Sequence, residues 1–307
     1  MGGVTASFGE RLRAAVAARG PLCVGIDPHP GLLAAWGLAD DAAGLERFAL
    51  TCVEALAGHV AVVKPQSAFF ERHGSRGIAV LERVLDALLQ HGGAARTLVL
   101  LDVKRGDIGS TMDGYADAYL APGAPLGADA VTLSPYLGVG ALAAAVRTAR
   151  SAGRGVFLLA RTSNPEGAEV QLAAPPTGRD GRAGRTVAQR VVDAAAAWNA
   201  AADTPPDPAA GPAVAPGAAG RDREPVGPVG VVVGATADHG LDLSALNGAV
   251  LAPGLGAQGA TPADLAARFA GVRGVVLPAA SRSVLAAGPD AAAVRAAALA
   301  LRDALAA

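Results

Sequence analysis

Eight short aliphatic runs recur along the chain: Leu22–Asp27 (LCVGID), Val60–Pro65 (VAVVKP), Thr97–Asp102 (TLVLLD), Asp129–Leu133 (DAVTL), Gly155–Arg161 (GVFLLAR), Val229–Gly234 (VGVVVG), Ala249–Pro253 (AVLAP) and Gly274–Pro278 (GVVLP). Within each run apolar residues follow one another without the polar alternation of a half-exposed strand, so both faces are expected to be covered. Longer alanine-rich stretches with helical spacing lie between them, near residues 41–58, 75–91, 110–121, 139–152, 186–201, 238–247, 262–270 and 289–305. Eight strands alternating with eight helices predict a (β/α)8 TIM barrel. A doubly wound sheet fits less well, because no GxGxxG follows the first strand. One more helical stretch, near residues 5–19, precedes the first strand and is expected to close the bottom of the barrel. Residues 1–307 then read as a single domain.

Two segments break this rhythm. Asp203–Pro228 holds seven prolines and four glycines with no apolar periodicity. It reads as a flexible insertion between the fifth helix and the sixth strand, on the side away from the carboxyl-end rim. Asn164–Arg185 follows the fifth strand on the rim itself and is expected to act as a cover. The composition, 51% hydrophobic and 4% aromatic with 75 alanines, suits alanine-rich helices packed on aliphatic strands. A net charge of −1 leaves no cation excess for general nucleic-acid binding. No apolar run approaches the roughly 20 residues of a membrane span, and the N-terminus has no signal-peptide pattern, so the expectation is a cytoplasmic protein without a membrane partner. Cys23 and Cys52 lack CxxC spacing or clustered histidines, which suggests buried small hydrophobes and neither a disulfide nor a zinc site.

Arginine dominates the cations: of 26 basic residues only Lys64 and Lys104 are lysine. A chain that uses arginine wherever either cation serves needs an ammonium at those two positions, and an ammonium can be tuned and can deliver a proton. Both lysines fall at strand ends, on the rim where barrel enzymes carry their chemistry. Strand one ends at Asp27, strand two at Lys64, and strand three at Asp102 followed by Lys104 and Asp107. If the strand stays extended through Val103, Asp102 and Lys104 face the same side. Opposite charges about 4 Å apart at an effective dielectric near 20 attract by roughly 4 kcal/mol, enough to fix geometry and protonation together. A purely structural ion-pair network is the competing reading, weakened by its desolvation cost and by the preference for arginine elsewhere.

The later strands carry different groups. PGLGAQG (Pro253–Gly259) follows strand seven and ASRS (Ala280–Ser283) follows strand eight, where barrels of this class commonly bind phosphate. Gln258 and Arg282 supply donors there, the latter with a planar fork suited to two phosphate oxygens. The glycine-rich loop alone is equally an ordinary tight turn. Ser163 and Asn164, in ARTSNPEG after strand five, are placed to read the amide edge of a base; without a histidine partner or GxSxG, Ser163 is not read as a nucleophile. His29 reads as a loop hydrogen-bonder and His59, His73, His91 and His239 as solvated residues. Trp36 and Trp198 read as packing residues. Glu71, in FFERHG, either contacts the rim or caps the next helix.

The run DVKRGDIGST (Asp102–Thr111) closely resembles the signature of the orotidine 5′-phosphate decarboxylases, and GIDP, VKPQSAFFE, LLARTSNP, LAPGLGAQG and SRS match that family in order, in the pattern of its longer bacterial (type 2) members. The resemblance implies that Lys104 protonates carbon six of the pyrimidine, that Asp102 lies beside the departing carboxylate, and that Lys64 completes the network near the ribose. It places Asp107, with Ile108 and Thr111, in the partner's site of a homodimer with shared active sites. Asp27 would bind ribose, Ser163 the pyrimidine amide, and Gln258, Arg282 and the backbone near Ser281 the phosphate, with Pro253 among the substrate contacts. The implied reaction is decarboxylation of orotidine 5′-monophosphate to UMP without metal, flavin or pyridoxal phosphate. Val103 departs from the alanine frequent in the family, and its side chain is expected to point away from the site. A related sugar-phosphate decarboxylase or lyase, and a catalytically silent nucleotide-binding regulator, are the alternatives.

Overall fold

The computed structural model describes residues 6–91, 96–174, 184–201 and 226–306. Its eight strands are β1 (Cys23–Ile26), β2 (Val62–Pro65), β3 (Leu98–Arg105), β4 (Ala130–Leu133), β5 (Gly155–Arg161), β6 (Val229–Val233), β7 (Ala249–Pro253) and β8 (Val275–Ala280). All pair in parallel and in sequence order, and β1 closes the barrel on β8 through Cys23 opposite Ala279. The (β/α)8 expectation therefore holds.

Strand periodicity sorts the side chains into two shells. Cys23, Val62, Leu98, Leu100, Phe157, Val232, Leu251 and Leu277 fill the barrel interior. Their chain neighbours Val24, Val63, Val99, Leu101, Leu158, Val231 and Val250 point outward into the helical layer. That layer contains α2 (Ala42–Leu56), α3 (Gly74–Gln90), α4 (Gly109–Tyr119), α5 (Ala143–Ser151), α6 (Val187–Ala200), α7 (Pro262–Arg268) and α8 (Ala291–Ala304). Trp198 is fully buried there, and Trp36 packs on Phe48 and donates its indole N–H to the Leu285 carbonyl, 2.9 Å away. Cys23 and Cys52 are buried free thiols, and burial pushes the Cys23 thiol up to about 12. Among the described residues, no helix is long and apolar enough to cross a membrane.

The first helix, α1 (Phe8–Arg19), starts on a capping box in which Ser7 and Glu10 exchange hydrogen bonds. Its Phe8, Leu12 and Ala15 pack into the barrel interior from the amino end of the strands. Phe8 stands edge-on to Phe157, and Gly155 is required beneath it because a Cβ there would collide with the Phe8 ring. Arg11 and Arg96 both bind the buried Asp129 carboxylate, which also accepts the Val99 N–H at 2.9 Å. Burial alone would raise Asp129; the two guanidinium groups reverse this and hold it below the ordinary carboxylate value.

Three sequence expectations change here. Residues 238–247 do not form a helix. Asp238 and Asp242 instead accept the N–H groups of Gly240 and Ser244, local bonds that compete with helical ones. His239, expected to be solvated, is buried: its Nδ1 accepts the Leu241 N–H at 3.0 Å and its Nε2 bonds the Arg268 carbonyl at 2.9 Å. Of the expected insertion, Val226–Pro228 belong to the barrel body, with Val226 buried against Gly9. Residues 202–225, which make up the rest of it from Asp203, lie outside the described residues, as do 175–183 of the connection after β5.

Candidate active site

The inward-facing positions at the carboxyl ends of the strands line a cavity of about 460 Å³, within the size range of small-molecule sites. Asp27 follows β1, Lys64 ends β2, Asp102 and Lys104 end β3 and Thr132 lies on β4; Pro253, Ser281 and Arg282 come from the opposite wall. Gly25 faces Lys64 in the β1–β2 register, and a Cβ on it would stand 2.8 Å from an Asp27 carboxylate oxygen. The glycine in GID thus makes room for the aspartate two residues on.

Four charged side chains alternate in sign along this wall. Lys64 Nζ lies 3.8 Å from Asp27 Oδ1 and 3.4 Å from Asp102 Oδ2, and Lys104 Nζ lies 2.6 Å from the same Asp102 oxygen. Lys64 is buried, and burial by itself would depress its ammonium; Asp27 and Asp102 outweigh that effect and raise it. Burial would likewise raise Asp102, but Lys64, Lys104 and the hydrogen bonds from Lys104 and Thr132 bring it down to about 2. Lys104 is the most accessible member, its side chain 46% exposed at the cavity mouth. Asp27 Oδ1 and Ser281 Oγ are buried without a hydrogen-bond partner. Buried polar atoms of this kind normally find one, and a polyhydroxylated ligand in the cavity would supply it.

The β3–β4 register explains how Asp102 and Lys104 reach the same cavity. Leu101 pairs with Val131 and Arg105 with Leu133, so three residues of β3 face one residue of β4, Thr132. Asp102 and Lys104 enter the same cavity, as expected for positions two apart on a strand, but Lys104 adopts φ 48°, a left-handed conformation that costs a non-glycine residue about 1–2 kcal/mol. Thr132 Oγ1 accepts the Lys104 N–H at 2.9 Å and donates to Asp102 Oδ1 at 2.7 Å. Val103 points outward into the core, as expected. Thr132 escapes sequence reasoning because it sits inside an apolar run, DAVTL, with no charge to mark it.

Across the cavity, the PGLGAQG loop folds back on itself through Gly256 N–H to Ala260 O and Ala260 N–H to Gly254 O, at 3.0 and 3.1 Å. Gly254 and Gly256 both have positive φ, which this loop path requires. Gln258 and Arg282 line the cavity together with Ser281, where the strand order led us to expect them. Ser163 and Asn164 line it from β5. Their loop is tied down by Gln171, whose amide accepts the Thr162 N–H at 3.0 Å and donates to Thr162 Oγ1 at 2.7 Å. Gln171 is a second residue that sequence reasoning missed.

Asp107, Ile108 and Thr111 do not line the cavity of their own chain. Asp107 accepts the Ile108 N–H at 2.8 Å, and Ile108 projects outward with 61% of its surface exposed. Tyr136 and Leu137, in the adjoining loop after β4, are also exposed. Glu71, left open by the sequence, binds Arg105 on the outer side of β3 and accepts the Ser67 hydroxyl at 2.7 Å. It therefore braces the back of the strand that carries Lys104. His29 also lines the cavity, its ring edge-on to Phe69 with centroids 4.3 Å apart.

Comparison with known proteins gives a consistent pattern. The model of the orotidine 5′-phosphate decarboxylase / HUMPS family matches residues 20–297. Orotidine 5′-phosphate decarboxylase of Salinispora arenicola is 60% identical over 293 residues, covering 95% of this chain and 94% of the relative. The Streptomyces coelicolor enzyme of the same name is 52% identical over 295 residues, covering 95% and 94%. Among solved structures, OMP decarboxylase of Leishmania donovani is 28% identical and superposes with a TM-score of 0.68, covering 97% of each chain.

Proposed function

The chain belongs to the orotidine 5′-phosphate decarboxylase family, and from that premise we propose that its cavity converts orotidine 5′-monophosphate to UMP, the last step of de novo pyrimidine nucleotide synthesis. The alternating Asp27–Lys64–Asp102–Lys104 array carries this reading. Breaking the bond between carbon six and the carboxylate leaves an electron pair in an orbital that the ring π system cannot delocalise. Such a carbanion needs a fixed positive charge beside it. Lys104, bound to Asp102 and reaching into the cavity mouth, supplies that charge and then transfers an Nζ proton to carbon six as carbon dioxide leaves. Asp102 faces the departing carboxylate and keeps both ammonium groups in place.

The remaining cavity residues take the roles that the family resemblance implies. Asp27, whose Oδ1 accepts no hydrogen bond within the chain, takes a ribose hydroxyl beside Lys64. Ser163 reads the pyrimidine amide. Gln258, Arg282 and the backbone at Ser281 hold the phosphate at the far wall, with Pro253 against the substrate. Binding energy gathered at this remote phosphate helps to assemble the charged array around the reacting ring. Asp107, Ile108 and Thr111, outside the cavity of their own chain, complete the site of a partner subunit in a homodimer.

The reading is tested by following the ultraviolet absorbance of orotidine 5′-monophosphate with the purified protein in excess chelator. Loss of the orotate band with stoichiometric UMP is the expected result. No reaction, or a reaction restored only by a divalent cation, would overturn it in favour of a different sugar-phosphate chemistry.

A further inference from the structure

The Thr132 hydroxyl lies between the two groups that the reaction depends on, and its hydrogen-bond valence decides how they are presented. A threonine hydroxyl has a single hydrogen to donate. Here its partners are the Asp102 carboxylate, 2.7 Å away, and the Lys104 backbone N–H, 2.9 Å away. A carboxylate can only accept and a backbone N–H can only donate, so the hydrogen must point to Asp102 Oδ1 and a lone pair must face Lys104. Oδ1 thereby holds the threonine hydroxyl, while Oδ2 faces both ammonium groups, at 3.4 Å from Lys64 and 2.6 Å from Lys104.

The same hydroxyl supports an unusual piece of backbone. Lys104 has a positive φ, one of two such non-glycine residues among those described. The pairing of β3 with β4 skips from Leu101 to Arg105 while β4 advances only from Val131 to Leu133. In that irregular stretch Thr132 Oγ1, not a strand carbonyl, receives the Lys104 N–H. Strained conformations persist where surrounding contacts determine them.

We propose that Thr132 is a positioning residue for the decarboxylation: its hydroxyl orients the Asp102 carboxylate and fixes the backbone of Lys104, so that one side chain sets the aim of both charges. The inference rests on the decarboxylase reading above. It predicts an effect on the chemical step and little effect on ligand binding, because phosphate and ribose are held by other residues.

The test compares Thr132→Val, which keeps the shape and removes the hydroxyl, with Thr132→Ser, which restores it. With wild-type protein as the control, Thr132→Val is expected to lower kcat by about 10²-fold, the scale of a small misplacement of a catalytic group. KM for orotidine 5′-monophosphate and the affinity for UMP should change no more than about threefold, and Thr132→Ser should recover kcat to within about fivefold of wild type, on the scale of one neutral hydrogen bond. An unchanged kcat in Thr132→Val overturns the proposal. So does a loss of kcat and UMP affinity together, or a loss that serine fails to restore, since either marks a merely structural residue. Should Thr132→Val not fold, Thr132→Ala against Thr132→Ser is read by the same criteria. A wild-type protein that leaves orotidine 5′-monophosphate intact would instead defeat the underlying reading, which separates the two failures.

Discussion

Lys104 Nζ bonds Asp102 Oδ2 at 2.6 Å, the two residues standing two apart on β3 and Lys104 itself in a left-handed conformation. The contact is made by irregular backbone opposite Thr132, not by a regular strand. A proton donor held this way is sensitive to the shape of its head group. Lys104→Arg keeps the charge but replaces a compact ammonium with a bulky guanidinium that does not release its proton. The variant should be nearly inactive while UMP binds within about threefold of wild type, a difference well under 1 kcal/mol. Isothermal titration with UMP beside a turnover assay checks both halves; near-normal turnover would reduce Lys104 to a counterion.

Asp102 links the array to acid stability. Its folded-state pKa is depressed to about 2 from an ordinary 3.8, so the carboxylate contributes stability above the ordinary value and loses it as pH falls through the folded value. The window is therefore between about pH 4 and pH 2, and the contribution is roughly 2 kcal/mol at neutral pH. Urea unfolding at several pH values should show Asp102→Asn losing less stability than wild type across that window. Parallel curves would mean that the array does not hold the carboxylate charged.

On the far wall, Arg282 lines the cavity beside Gln258. Arg282→Ala should weaken UMP binding by about 2–4 kcal/mol, as expected for a sheltered charge-assisted contact. Uridine, lacking the phosphate, should be affected far less. Equal losses for the two ligands would remove Arg282 from the phosphate site.

The position of Asp107 outside its own chain's cavity leads to a mixing experiment. In the proposed homodimer, the Lys104→Ala and the Asp107→Ala proteins should each be close to dead. After equal mixing and subunit exchange, half of the dimers are heterodimers. In each, the site on the Asp107→Ala chain keeps its own Lys104 and borrows Asp107 from its partner. One of two sites restored in half of the dimers gives about a quarter of wild-type activity if the sites act independently. Persistent inactivity after verified exchange would show that Asp107 serves its own chain.

The strands and the charged rim were legible in the sequence because each has a one-residue signature. An aliphatic run ending in Asp or Lys says both that the strand is covered and where it stops, as at Asp27, Lys64 and Asp102. The two lysines stood out against an arginine background. What escaped depends on pairing between distant segments. Thr132 matters because of a register skip on β3, which no local pattern around DAVTL encodes. The 238–247 segment has helical spacing, yet its aspartates cap turns instead, a local competition that apolar periodicity does not weigh. Glu71 could not be assigned because its partner, Arg105, lies 34 residues away.

The packing of α1 against Phe157 and Gly155 plugs the amino end of the barrel, opposite the cavity mouth. Carbon dioxide released beside Asp102, as proposed above, would meet that plug on one side and the cavity mouth on the other. The mouth, through which substrate enters, is then the expected way out. Both products then share one mouth: the small gas threads it while UMP is still seated, or it waits until UMP has gone. A seal formed by a helix at the opposite end of the fold thus governs traffic at the reacting end.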